Sequence, residues 1–193
     1  MRGIITKALR ENQRTVEEFV TQNSSNLVRC AEIICSAFRN SRKLMLCGNG
    51  GSAADAQHIA AEFVNRFQIE RSPLPALALT TDTSIITSIS NDKSFDDIYS
   101  KQIEALGAEG DVLLAMSTSG RSRNILAALT TARDKGIYVV GLMGAGGGEM
   151  LALVDLSLVV ENHQTPRIQE AHIVAGHIIC ELVEYMLFQG KGI

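Results

Sequence analysis

The sequence lacks a strong excess of either charge, which bears first on nucleic-acid binding. Among its 193 residues, Lys and Arg number 18 and Asp and Glu number 21, so the formal net charge is −3. A protein whose main partner is nucleic acid usually presents a strongly basic surface. We therefore expect no nucleic acid as a main partner.

Long apolar runs and paired cysteines are also missing. No apolar stretch approaches the roughly 18 residues that indicate a transmembrane helix, and Met1–Arg14 lacks the apolar centre of a signal peptide. No CxxC spacing joins the four cysteines, which are Cys30, Cys35, Cys47 and Cys180. We therefore expect buried, reduced cysteines in a cytoplasmic protein that does not contact a membrane.

What remains is an ordinary globular composition, with 46% hydrophobic and 20% charged residues. The length suits one good core, and no repeat, low-complexity tract or linker divides the chain. We expect a single domain over residues 1–193. Within it, residues 1–40 form helices used in packing or oligomerisation, and residues 41–193 form the core and a C-terminal helix.

Five apolar runs predict strands that are buried on both faces, because their apolar residues are near-continuous rather than alternating. Helical patterns lie between most of them, and this alternation predicts a doubly wound α/β layer. The predicted strands are Lys43–Cys47, Ala76–Thr80, Val112–Ser117, Tyr138–Leu142 and Leu156–Val160. The predicted helices between strands are Ala53–Phe67, Phe95–Leu106 and Ser122–Lys135.

Two helical extensions lie outside this core. Residues 2–40 carry two helical patterns with a break near residues 23–25. Near the other end, Thr165 is expected to cap a helix that runs to about Phe188. Its wide apolar face fits packing on a partner subunit or on its own sheet. Gly144–Gly148 is expected to be a short flexible turn.

Two Gly/Ser loops are the main sign of function. Residues 47–52, CGNGGS, follow the first predicted strand, and residues 117–122, STSGRS, follow the third. A strand, a small-residue turn and a helix N-terminus together present N–H groups and hydroxyls to an anion. Parallel sheets bind ligands beyond the carboxyl ends of their strands, where both loops fall. The pattern predicts one phosphorylated ligand held at both.

A second set of side chains could supply chemistry at this edge. His58 and Glu62 are four residues apart on the helix after the first loop and share one face. On the last helix, Gln169, Ile173 and His177 fall within one stripe. If the two helices face each other, these groups suit either a divalent metal such as zinc or an acid/base pair acting on a carbohydrate.

These motifs together resemble the sugar isomerase (SIS) family and, within it, the phosphoheptose isomerases. The first loop is followed by DAQH at 55–58 and by Glu62. The resemblance covers almost the whole chain. It continues through TTD at 80–82, ND at 91–92, GDVLL at 110–114, STSG at 117–120 and RIQE at 167–170.

The resemblance implies a SIS fold, a flavodoxin-like five-stranded parallel sheet flanked by helices. It implies a homotetramer with active sites at subunit interfaces and one zinc per subunit. The implied activity converts D-sedoheptulose 7-phosphate to D-glycero-D-manno-heptose 7-phosphate through an enediol. That isomerisation is the first step toward the ADP-heptose or GDP-heptose precursors of lipopolysaccharide core or surface glycans.

The same resemblance assigns roles to particular residues. It makes Glu62 and His177 the proton-transfer pair, and it makes His58, Glu62, Gln169 and His177 the zinc ligands. The implied substrate-binding residues are Asn49, Gly50, Gly51, Ser52, Asn91, Asp92, Ser117, Thr118, Ser119, Ser122 and Gln169.

One departure from the family pattern follows the second loop, where Arg121 and Arg123 flank Ser122. An arginine here could pair with a phosphate or remain a solvated charge at a helix start. His163 is expected in a loop, and His172 at a packed or interface position.

Two other functions share this fold. One is a non-catalytic binding protein resembling the bacterial DnaA-initiator-associating protein, which lacks acid/base side chains at the positions of Glu62 and His177. The other is a sugar-phosphate-sensing regulatory domain, commonly joined to a DNA-binding segment that these residues do not show. The presence of both Glu62 and His177 favours the enzyme.

Overall fold

The computed structural model describes residues 1–190, whose centre is a parallel sheet of five strands. The strand order is β2-β1-β3-β4-β5, which is the flavodoxin-like doubly wound order, as predicted. Every strand pair is parallel. The strands are β1 (Leu44–Gly48), β2 (Ala76–Ala78), β3 (Val112–Ser117), β4 (Tyr138–Gly144) and β5 (Leu156–Val160).

Within residues 1–190, six α-helices cover the two faces of this sheet. They are α1 (Arg2–Arg39), α2 (Gly51–Val64), α3 (Thr83–Asp92), α4 (Ser100–Leu106), α5 (Arg123–Asp134) and α6 (Thr165–Glu184). Alternate strand residues feed two separate cores: Leu44 and Leu46 pack with α1, α2 and α6, whereas Met45 and Cys47 pack with α4 and α5. Burial on both faces explains the continuous apolar runs in the strands.

Helix α1 is continuous, so the predicted break near residues 23–25 is wrong. The Asn23 side chain donates to the Phe19 carbonyl at 2.9 Å and to the Val159 carbonyl of β5 at 3.3 Å. Asn26 donates to the Ser157 carbonyl of the same strand at 3.1 Å. These amides bond the edge strand instead of interrupting the helix, and α1 thereby covers an edge that would otherwise be open.

Other element bounds also differ from the expectations. Helix α3 was not predicted, because Ser, Thr and Ile have weak helix propensity and fill much of it; Asp82 caps it by accepting from the Ile85 amide at 2.9 Å. The predicted helix 95–106 is a 3₁₀ turn, Phe95–Asp97, followed by α4. The last helix already includes Thr165, and Gln164 precedes it.

The predicted flexible turn at 144–148 is instead a structured segment. Strand β4 continues to Gly144, and a 3₁₀ segment follows over Ala145–Ala152. Gly146 and Gly147 adopt φ values of +73° and +82°, a region that favours glycine. This segment packs beneath the second Gly/Ser loop, as described below.

Helix α6 and the π-helical turn that follows it, Tyr185–Gln189, form a long apolar element. By length and composition alone, Thr165–Gln189 could span a membrane, with a mean hydropathy of 1.4 over an 18-residue window. This differs from the expectation that no such stretch exists. The helix also carries buried His172 and Glu184 and packs against α1 and α2. Its apolar character therefore fits a core helix.

Asp111 forms a buried polar anchor at the amino end of β3. It accepts from the Lys43 ammonium at 2.6 Å, the Lys43 amide at 3.0 Å and the Ala108 amide at 2.8 Å. Burial alone would raise the pKa of Asp111, but these hydrogen bonds outweigh it and hold the pKa below its ordinary value. Its carboxylate therefore stabilises the fold above the unfolded pKa of about 3.9.

Asp111→Asn is expected to lower the free energy of unfolding at neutral pH by about 1.5–3 kcal/mol, because bonds to a charged group are lost. The wild-type contribution disappears as pH falls through the depressed folded pKa, so the variant should lose less stability in acid. Chemical denaturation at several pH values measures both effects. Exposed Asp134→Asn is the control, and equal acid sensitivity of Asp111→Asn and wild type would contradict the prediction.

Candidate active site

The two Gly/Ser loops lie side by side where the strand order reverses. Strands β1 and β3 are paired neighbours, and each leads into one loop. The Asn49 and Asn124 side-chain amides bond each other reciprocally at 2.8 and 2.9 Å, which ties the first loop to the first turn of α5. The buried Tyr99 hydroxyl donates to the Gly48 carbonyl at 2.5 Å. The loops therefore form one connected surface at the edge where such sheets bind ligands.

Close packing explains the glycines of the first loop. Gly50 precedes α2 with φ +55°, and Ser52 is buried and donates its N–H to the Asn49 carbonyl at 3.0 Å. A Cβ at Gly51 would overlap the Gln169 side-chain amide. Glycine therefore lets Gln169 of α6 lie directly on the loop, which brings one predicted substrate-binding residue to the others.

The second loop gathers three hydroxyls. Ser117 Oγ lies 3.5 Å from Ser119 Oγ and 3.4 Å from Ser122 Oγ. The Gly120 amide donates to Ser117 Oγ at 3.1 Å. Ser122 immediately precedes α5 but makes no side-chain capping bond within the described residues, and Thr118 of the same loop is half-buried. Hydroxyls clustered at a helix N-terminus suit a phosphate group.

The glycine segment after β4 supports this hydroxyl cluster from behind. Gly120 has φ +63°, and a Cβ there would overlap the Gly147 carbonyl. A Cβ at Gly148 would lie 2.7 Å from the Ser119 carbonyl. The Met150 amide also donates to the Gly120 carbonyl at 3.0 Å. The hydroxyl cluster thus rests on a close backbone contact between two chain segments.

The structure brings three of the predicted chemical side chains together. His58 Nε2 lies 2.9 Å from His177 Nε2 and 3.5 Å from Glu62 Oε1. Because both distances start at His58 Nε2, the distance from Glu62 Oε1 to His177 Nε2 cannot exceed their sum. The Phe67 ring stacks on the His177 imidazole, with 5.4 Å between centroids and 26° between planes. The predicted meeting of α2 and α6 side chains occurs within one chain.

The side chains gathered here include ligand types that suit the predicted zinc. Two imidazoles and a carboxylate are ligands that zinc accepts. The fourth predicted ligand, Gln169, lies two turns from His177 on α6 and contacts Gly51. Among residues 1–190, no group of three or more His, Cys, Asp or Glu side chains is arranged to hold a metal ion. The chemistry of the set fits zinc, and the set of four ligands stays a prediction.

Two predicted substrate residues bond each other rather than a side chain of this cluster. Asn91 and Asp92 are exposed on the last turn of α3, where the Asn91 amide donates to Asp92 Oδ1 at 2.8 Å. Arg121 and Arg123 are exposed beside the second loop and form no ion pair within the described residues. Both interpretations of these arginines therefore stay open.

The remaining histidines behave as expected. His163 is exposed in the segment between β5 and α6. His172 is fully buried, and burial lowers its pKa to about 4, opposed by the Met143 carbonyl. The imidazole is therefore neutral, which suits a packed position. All four cysteines are also buried and unpaired.

Five residues near the site were missed in the sequence. Glu184 stands in the largely apolar stretch of residues 178–188, a signal that predicts a paired buried charge. No comparable signal marks the others, because their roles depend on contacts between distant segments. The missed residues are Phe67, Arg71, Tyr99, Asn124 and Glu184.

Comparison with known proteins places the chain in a family. The SIS-domain family model matches residues 9–144. A curated phosphoheptose isomerase from Nitratidesulfovibrio vulgaris strain Miyazaki F is 50% identical over 188 residues, covering 97% of this chain and 90% of that protein. The chain belongs to the SIS family, and within it to the phosphoheptose isomerases.

Solved structures from the phosphoheptose isomerase family agree with this fold. The Neisseria gonorrhoeae phosphoheptose isomerase is 40% identical with a TM-score of 0.90, covering 95% of this chain and 98% of that chain. The Francisella tularensis protein is 35% identical with a TM-score of 0.91, covering 94% and 96%. The predicted family and fold class are thereby confirmed.

Proposed function

We propose that the protein is an aldose–ketose isomerase that converts D-sedoheptulose 7-phosphate to D-glycero-D-manno-heptose 7-phosphate. The observation that carries this proposal is the convergence of Glu62 and His177 on His58. The names of its relatives in the phosphoheptose isomerase family support the substrate. A protein that only binds a partner has no chemical need for this pair, so the convergence disfavours the non-catalytic alternative.

The reaction needs two proton-handling groups. One group removes a proton from C1 of the ketose while the C2 carbonyl oxygen gains a proton, which gives an enediol. The proton then returns to C2 as the C1 hydroxyl loses its proton, which leaves the aldose. A carboxylate and an imidazole suit these transfers near neutral pH. Glu62 and His177 supply that pair.

The phosphate provides binding and orientation rather than chemistry. Ser117, Ser119 and Ser122 offer hydroxyls to it, together with the first amides of α5. The first loop, with Gln169 lying on it, is then left for the sugar. Binding energy from the remote phosphate holds the reacting carbons beside the proton-transfer pair. Asn49, Gly50, Gly51, Ser52, Thr118, Asn91 and Asp92 are proposed as further substrate contacts.

The proposal also includes bound zinc, a homotetramer and a cytoplasmic location. The reaction would belong to the heptose pathway of lipopolysaccharide core or surface glycans. Zinc bound by His58, Glu62 and His177, with Gln169 as a further ligand, would supply positive charge near the enediolate oxygens. Self-association is supported by apolar side chains on the amino half of α1, since Ile4, Ile5 and Leu9 are 73%, 69% and 55% exposed. Active sites at subunit interfaces would complete the substrate contacts.

Direct product detection tests this function. Purified protein incubated with D-sedoheptulose 7-phosphate should yield the aldose phosphate, and unphosphorylated sedoheptulose should react at least about 100-fold less efficiently, because bonds to a charged group are lost. A chelator should abolish turnover and added zinc should restore it. No product from a folded, zinc-loaded oligomer would overturn the proposed activity, whereas full activity in chelator would remove zinc from it.

A further inference from the structure

A buried ion pair connects the helices that carry Glu62 and His177. Arg71 Nε lies 2.8 Å from Glu184 Oε1, and the two side chains are only 1% and 3% exposed. Removing two charges from water costs several kcal/mol per ion, so such a pair is weak support for stability by itself. The pair instead matters for what it joins, because it connects the carboxyl end of α2 to the carboxyl end of α6.

The Arg71 guanidinium closes the carboxyl end of α2. Its Nη2 donates to the Glu62 carbonyl at 2.8 Å, and its Nη1 donates to the Phe63 carbonyl at 2.8 Å. A cation bonded to the last carbonyls of a helix is favoured by the helix dipole. One of these bonds fixes the backbone of Glu62 itself.

The Glu184 carboxylate fixes the chain that follows α2. It accepts from the amides of Phe67 at 2.8 Å, Gln68 at 2.9 Å and Ile69 at 3.3 Å. Burial would raise its pKa, but these amides and Arg71 hold the pKa below the ordinary value. The carboxylate therefore stays ionised and holds the backbone of Phe67 against α6.

Phe67 transmits this constraint to the imidazole. Its ring stacks on His177, two turns before Glu184 on the same helix. An offset stack of this kind contributes about 0.5–1.5 kcal/mol and restricts the orientation of both rings. The ion pair thus constrains Glu62 through its carbonyl and His177 through the Phe67 ring.

We propose that Arg71, Glu184 and Phe67 are positioning residues that hold Glu62 and His177 in the mutual geometry needed for proton transfer. The proposal rests on the isomerase function proposed above. None of the three needs to touch the substrate. Their removal should therefore slow turnover more than it weakens substrate binding.

Three substitutions and one matched control test the positioning role. Glu184→Gln removes the charge at constant size, Phe67→Leu removes the ring but leaves the ion pair, and Phe67→Tyr keeps the ring. Asp111→Asn is the control, because it also removes a buried carboxylate that accepts backbone and side-chain hydrogen bonds, but its partners are Lys43 and Ala108 rather than the segments that carry Glu62, Phe67 and His177. Thermal melting reports the structural cost of each substitution.

Kinetics give the first readout. A misplacement of about 1 Å can cost about 100-fold in rate, so Glu184→Gln and Phe67→Leu should lower kcat by about 10- to 100-fold with little change in KM. Phe67→Tyr and Asp111→Asn should retain the wild-type kcat. If Phe67→Leu keeps the wild-type kcat, or if Asp111→Asn loses as much as Glu184→Gln, the proposal is overturned.

Proton NMR of the His177 ring in metal-free protein gives a readout that does not depend on activity. The stacked Phe67 ring shields those protons, so their signals should move in Phe67→Leu and Glu184→Gln and stay in place in Asp111→Asn. Unmoved signals in Phe67→Leu would reject the positioning contact even in an active enzyme. An inactive wild type with the expected shifts would reject the isomerase function and keep the contact. If Glu184→Gln does not fold, the two Phe67 substitutions decide.

Discussion

Glu62→Gln should lower kcat on D-sedoheptulose 7-phosphate by about 10²–10⁴-fold, the usual contribution of a general acid or base. Gln keeps the size and the hydrogen-bonding oxygen of Glu62 but cannot take a proton. His177→Ala should have an effect of the same order, because it removes the imidazole that lies 2.9 Å from His58. Initial rates at saturating substrate measure both effects.

Metal content and a matched control make this result interpretable. Glu62 and His177 are also proposed zinc ligands, so zinc analysis of each variant must accompany the kinetics. Glu70→Gln applies the same chemical change eight residues further along, where the side chain is 87% exposed, and should leave the rate unchanged. A near-wild-type rate in Glu62→Gln or in His177→Ala would show that the wrong group was assigned.

Gly120→Ala should raise KM by about 10- to 100-fold, which corresponds to losing a bond to a charged phosphate worth about 1.5–3 kcal/mol. The added methyl group would overlap the Gly147 carbonyl, so the second loop must shift and the hydroxyl cluster must separate. Overpacking typically costs about 1–3 kcal/mol, and the left-handed φ adds about 1–2 kcal/mol. Steady-state kinetics and thermal melting measure the two effects.

Gly146→Ala is the matched control for that substitution. Gly146 has a similar φ of +73°, but a Cβ there meets no atom of the described part of the chain within 4 Å. Gly146→Ala should therefore lose the stability that a left-handed φ costs, without the further loss from steric overlap, and its KM should remain near wild type. Equal KM values in the two variants would contradict the idea that contact with Gly147 shapes the phosphate site.

Much of the sheet could be predicted from the sequence, because strands buried on both faces leave a simple apolar pattern. Val112–Ser117 and Leu156–Val160 match the structure at both ends. Prediction failed where tertiary contacts override local preference. Asn23 indicated a helix interruption in the sequence, but its side-chain amide bonds β5 and α1 continues through it. Helix α3 has a weak helical composition, which the Asp82 cap compensates.

The candidate site also has parts that the sequence indicated and parts that it did not. The spacing of His58 and Glu62 on one helix indicated a shared face, and the structure places His177 beside them. The Asn49–Asn124 pair and the Arg71–Glu184 pair join residues that are 75 and 113 positions apart. Contacts over such separations leave no periodic signal, so a single sequence gives the reacting groups more readily than the side chains that orient them.

The Asn49–Asn124 pair has a consequence for how a ligand meets this protein. Because each amide both donates to and accepts from the other, the first loop cannot move away from α5 without breaking two hydrogen bonds. The anion therefore enters a surface whose shape already exists, and little ordering entropy is spent when it arrives. Affinity for a sugar phosphate then reflects the contacts themselves rather than a closing movement.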